Sequence, residues 1–202
     1  KAWLGGGAVV VLVVLGFVTH RQLDYWRDDE TLWRYTLSVT ERHYAARNNL
    51  AVALAEAGRS DEAVVEFRAA RMLHQYPGDQ IVKLAVYELR MGHPLEAVDE
   101  CRAALAASSD PRVQEVAWSQ MGRALLELRR YDEAVESYRQ ALRLSPEDGD
   151  ALIGSGVLAL RAGDVSRAVD QLARAVKASP NDVNLLLLAQ ALRQSGKAAE
   201  AD

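Results

Sequence analysis

Five alanines, Ala63, Ala97, Ala134, Ala168 and Ala201, stand at successive steps of 34, 37, 34 and 33 residues, each in the same local setting. Five positions ahead of them come Gly58, Gly92, Arg129, Gly163 and Gly196, and four positions after the first four come Phe67, Cys101, Tyr138 and Leu172. A period of about 34 residues, with apolar residues at helical spacing on both sides of the glycine, describes two short helices per unit. One such unit cannot bury its apolar faces alone, so units must stack. The chain is therefore constrained to an all-α solenoid.

The third unit carries the pattern most fully: Trp118, Met121, Gly122, Leu125, Tyr131, Ala134, Tyr138, Ala141 and Pro146. Gly122 and Ala134 are small where two helices cross, and Trp118, Leu125 and Tyr138 fill the space beside them. Pro146 stops the second helix. The fourth unit shows Leu152, Gly156, Gly163, Ala168, Leu172, Ala175 and Pro180, and the first Leu50, Ala51, Leu54, Gly58, Ala63, Phe67 and Ala70. The second is weaker, with Leu84, Ala85, Gly92, Ala97, Cys101 and Ala104, and a fifth opens with Leu188, Ala189, Gly196 and Ala201. These residues resemble the tetratricopeptide repeat (TPR) family over residues 44–202. The expected repeats are 44–77, 78–111, 115–148, 149–181 and a partial 182–202, a TPR α-solenoid of about four and a half repeats.

Gly58, Gly92, Gly163 and Gly196 suit the left-handed residue that closes a helix, and Arg129 occupies that place in unit three. Asp61-Glu62 and Asp132-Glu133 put carboxylates in the first turn of the second helix, against its dipole. The step of 37 requires extra residues, expected as a loop insertion at Ser108-Ser109-Asp110-Pro111. Residues 72–77 are also off pattern, with Pro77 displaced.

Residues 2–19 are apolar and are expected to form a transmembrane helix, at about 1.5 Å per residue just long enough for a bilayer core. A signal peptide would need a small-x-small cleavage site where Phe17-Val18-Thr19-His20-Arg21 stands, and a buried core helix would show a polar face. Because the chain opens on Lys1, this segment is read as the last span of a longer protein. Arg21 and Arg27 are offset by Asp24, Asp28, Asp29 and Glu30, so the charge balance does not orient the span. Residues 21–43 are expected to form a juxtamembrane capping helix, Trp33 taking the register place of Phe67; the alternative lays Trp26 and Trp33 at the lipid interface.

Arg21, Trp26, Asp28, Thr31, Leu32, Trp33, Thr36, Leu37, Asn49 and Leu50 carry a second resemblance. Following an apolar span and leading into repeats, they resemble the C-terminal region of multispanning, TPR-bearing transmembrane O-mannosyltransferase-like glycosyltransferases. The family's usual proline before the first repeat is replaced by Thr40-Glu41. The resemblance implies catalysis in upstream spans and carries no catalytic residue onto this chain. It also implies a bacterial inner membrane or equivalent location, with the repeats in the periplasm or a lumen.

No residue set points to a reaction centre, and no cofactor or metal is expected. Cys101 reads as a small buried hydrophobe, and His20, His43, His74 and His93 lack metal-ligand spacing. A net charge of −4 with dispersed basic residues speaks against nucleic acid. The expected partner is a protein or peptide in the groove lined by the first helices. Register assigns to it Asn48 and Val52; Val82, Val86, Leu89 and Arg90; Ser119 and Arg123; Ile153, Val157, Leu160 and Arg161; then Leu186, Gln190 and Arg193. The competing role for these valines and leucines is packing between helices. Asn48 and Lys83 alone come near the positions of a chaperone-type carboxylate clamp, and the asparagine-ladder position reads Asn49, Lys83, Gln120, Gly154 and Leu187. Neither known groove is present. The open fifth unit leaves an apolar face for homo-association. The functional expectation is a non-catalytic protein-binding scaffold, the C-terminal part of a membrane glycosyltransferase, with a single-span membrane adaptor as the alternative and a soluble co-chaperone disfavoured by the missing clamp.

Overall fold

The computed structural model describes residues 12–20, 23, 25–40, 43–73 and 76–196. Among them are ten helices beyond the apolar start: α1 (Asp29–Val39), α2 (Tyr44–Glu56), α3 (Ser60–Arg71), α4 (Gly78–Arg90), α5 (Pro94–Ala107), α6 (Pro111–Glu127), α7 (Tyr131–Leu144), α8 (Gly149–Ala162), α9 (Val165–Ala178) and α10 (Asp182–Gln194). No strand occurs among the described residues. Residues 12–20 are helical and exposed, whereas residues 2–11 of the expected span lie outside the described residues, as do Arg21 and Ala201. No helix among the described residues is long and apolar enough to cross a membrane.

The chain forms two compact units, Lys1–Tyr76 and Pro77–Asp202, so the division falls on the off-pattern segment 72–77. In the first unit α1 packs on α2 and α2 on α3. Asp28 caps α1 by accepting the Thr31 N–H at 2.7 Å, and the Thr36 hydroxyl donates to the Leu32 carbonyl at 2.9 Å. Four residues of the juxtamembrane resemblance thus act in helix capping and geometry. Glu30 on α1 accepts from Arg59 in the α2–α3 turn at 2.7 Å, which joins the first helix to the hairpin after it.

In the second unit each helix packs on the next from α4 to α10. The first helices of successive repeats also touch one another, α4 with α6, α6 with α8 and α8 with α10. The anchor alanines Ala97, Ala134 and Ala168 are fully buried, as the close crossing of paired helices requires. Cys101 is fully buried in the α4–α7 core, and burial pushes its thiol up to about 12, so it packs as a hydrophobe. Gly58, Gly92, Gly163 and Gly196 take φ between 76° and 79°, and Arg129 adopts the same left-handed conformation at φ 59°.

The extra residues of the 37-step do not form a loop insertion. The α5–α6 connection is the short Ser108-Ser109-Asp110, and α6 is 17 residues long where α4 has 13 and α8 has 14. Asp110 accepts the Arg112 N–H at 2.9 Å and Pro111 stands at the first helical position. That start signal draws the surplus into one additional turn at the N-terminus of α6.

Candidate functional site

Four of the expected groove residues, Ser119, Arg123, Ile153 and Val157, converge at the seam between α6 and α8. Gly122 on α6 and Gly154 on α8 leave no side chain between the two helices, and Tyr138 of α7 fills that gap from behind. A Cβ at Gly122 would stand 2.7 Å from the Tyr138 ring, and one at Gly154 would overlap the ring and its hydroxyl. The ring is 3 % exposed, and its hydroxyl end passes beneath Gly154 towards the face of the first helices. There it lines a cavity of about 190 Å³ with Ser119, Gln120, Arg123 and Leu126 of α6 and Asp150, Ile153, Gly154 and Val157 of α8.

The polar lining comprises Ser119, Gln120, Arg123, Tyr138 and Asp150. Ser119 Oγ and Gln120 Oε1 are buried with no hydrogen-bond partner among the described residues. Burial, then the charge of Asp150, raises the Tyr138 phenol above its ordinary value; Arg123 opposes, and Asp148 and Glu127 add to the rise. Next to the cavity, Asp148 caps α8 by accepting the Asp150 N–H at 3.1 Å through Oδ1, and its carboxylate also lies within hydrogen-bonding reach of Glu115. Glu115, one turn into α6, has its carboxyl raised above 4.5 by burial and by the neighbouring Asp148 and Asp150. Arg123 itself is held by Glu127 at 3.8 Å.

Of the sequence-derived groove residues, Ser119, Arg123, Ile153 and Val157 meet in this cavity. Val82 is buried, and Leu89 belongs to the core with Ala97, Val98 and Cys101, so packing claims both side chains. Val86 is half-buried on α4, and Leu160 packs against Ala159, Ala168, Leu172 and Ala191. The arginines stay exposed at helix ends: Arg161 stacks 3.9 Å from the Tyr131 ring and Arg90 lies 5.7 Å from that of Tyr87. Gln190, Arg193 and Leu186 are exposed on α10. In the first unit Asn48 is buried and accepts the Tyr76 hydroxyl at 3.0 Å, and Val52 is half-buried.

Register reasoning missed Gln120, Leu126, Tyr138, Asp150 and Gly154 as lining residues. Gln120 and Gly154 occupy the asparagine-ladder position, which does face the cavity; Tyr138, which the sequence places in the space beside Gly122 and Ala134, extends through to it.

A tetratricopeptide repeat family model matches residues 30–79 and 119–183. No curated protein matches the sequence. Among solved structures, pilF of Pseudomonas aeruginosa superposes with a TM-score of 0.73 at 16 % identity, over 95 % of this chain and 86 % of that one. YrrB, described as a TPR protein with an unusual peptide-binding site, gives 0.66 at 18 % identity over 89 % and 87 % of the two chains. MamA of Desulfovibrio magneticus RS-1 gives 0.67 at 14 % identity over 78 % and 88 %. At these identities the likeness is one of fold.

Proposed function

This chain belongs to the tetratricopeptide repeat family, an interaction scaffold, and from that premise we propose that the first-helix face of its second unit binds an extended segment of a partner protein. The observation that supports it is the α6–α8 cavity, where apolar walls from Leu126, Ile153 and Val157 adjoin buried oxygens without partners. An unmatched buried polar atom costs about 1–3 kcal/mol, which a partner's donor would recover. YrrB's printed peptide-binding site accords with this use of the fold.

The test is binding to a peptide array by the chain and by an Ile153→Lys, Val157→Lys double variant. Both side chains are only half-buried, so the variant is expected to keep its helical circular dichroism while losing array signal about tenfold or more. Undiminished binding would overturn the groove.

For the whole protein, we propose the C-terminal scaffold of a membrane glycosyltransferase that recruits polypeptide acceptors. The run from Arg21 to Leu37 supports this through its resemblance to that family, and residues 2–19 would be the adjoining span. On this reading the repeats lie in the periplasm or a lumen and catalysis resides in upstream spans. Immunoblotting of membrane fractions with an antibody against the repeats decides it. A carbonate-resistant species several times larger than 22.2 kDa is expected; a membrane species near that mass would leave a single-span adaptor.

A further inference from the structure

Resting on the groove reading above, we propose that the α6–α8 cavity is a subsite for one cationic side chain, lysine or arginine, of the bound peptide. Three features of the lining select that guest. The first is the donor–acceptor balance: Ser119 Oγ and Gln120 Oε1 are buried and unpartnered among the described residues, and Asp150 adds a carboxylate. Ser119 is 3 % exposed and Gln120 8 %, so rotation of these side chains towards the cavity would give their oxygens an ammonium or guanidinium donor.

The second is charge. Asp148, Asp150 and Glu127 bear on the Tyr138 hydroxyl against the single guanidinium of Arg123, which Glu127 already holds at 3.8 Å. Glu115 adds a further carboxyl beside Asp148. The local field therefore favours a guest cation, and an acidic guest would meet like charges in a partly desolvated place.

The third is shape. Leu126, Ile153 and Val157 supply an apolar wall beside the acceptors, which suits the methylene stem of a long basic side chain. A bare metal ion has no use for that wall, and the described residues contain no group of three or more His, Cys, Asp or Glu arranged to hold one.

The test uses the whole chain and fluorescein-labelled peptide pools with randomised apolar and polar flanks around one fixed central residue: arginine, norleucine or glutamate. The arginine pool is expected to bind about tenfold more tightly than the norleucine pool by fluorescence anisotropy, the glutamate pool weakest. Asp150→Asn should lower arginine-pool affinity about tenfold and erase the preference. Asp99→Asn, an exposed carboxylate on α5 outside the cavity, should leave both unchanged, and thermal melts confirm that each variant is folded. Equal binding of the arginine and norleucine pools, or tighter binding of glutamate, overturns the cation subsite and leaves the groove standing. If no pool binds better than to the Ile153→Lys, Val157→Lys variant, the groove itself is overturned and the subsite with it.

Discussion

At the scale of single residues, a tyrosine from a second helix reaches the first-helix face only because two glycines stand where other side chains would block it. Gly154→Ala should therefore be costly despite alanine's better helix propensity: the added Cβ overlaps a ring hemmed in by Gly122. A loss of about 1–3 kcal/mol is expected, read as a melting-temperature drop of at least about 2 °C for a chain of this size. Gly149→Ala, with no atom within 4 Å of its Cβ, is the control that should not fall. Glu115 bears on pH dependence. Its folded pKa lies above the ordinary 4.5 through burial and through Asp148 and Asp150, so the folded chain holds that proton more tightly. The contribution is present below about 4.5 and is lost as pH rises through the higher folded value. Glu115→Gln should raise the melting temperature at pH 7 by about a degree or two, and the gain should vanish near pH 4. An equal gain at both pH values would exclude the electrostatic cause.

At the scale of elements, the repeats differ in how they start and stop their helices. Three described hairpins turn on a glycine at φ near 78°, where the left-handed conformation carries no Cβ penalty. The α6–α7 turn places Arg129 there at φ 59°. Arg129→Gly removes that penalty at the expense of a freer unfolded chain, for a net stabilisation of about 0.5–1 kcal/mol in urea unfolding. A destabilised variant would mean that the Arg129 side chain contributes more than its backbone costs. The long α6 follows from an equally local signal: Asp110 and Pro111 start it early, one turn ahead of Glu115, which is the register equivalent of Gly78 and Gly149.

At the scale of the molecule, the boundary between Tyr76 and Pro77 separates two bodies with their own contacts. Tyr76 closes the first by donating to Asn48, and Gly78 begins the second beneath Ser108, which a Cβ there would meet at 2.7 Å. Because solenoid stability is close to a sum over neighbouring repeats, residues 77–202 expressed alone should fold with one cooperative melt and full helical signal per residue. A non-cooperative melt would show that the second unit requires the first.

Period, anchor alanines, hairpin glycines and first-turn acids were legible in the sequence because each follows from short-range rules of helix geometry, capping and close approach. Even Arg129's odd conformation was, since register alone assigned it. Which groove positions are free was not. Val82 has the same character and register as Ile153, yet Val82 is buried by neighbours and Ile153 faces a cavity. Tyr138 and Asp150 escaped because side chains on different helices meet there through the absence of others at Gly122 and Gly154. Helix periodicity reports which face of a helix is apolar. Only packing decides whether another helix already covers it.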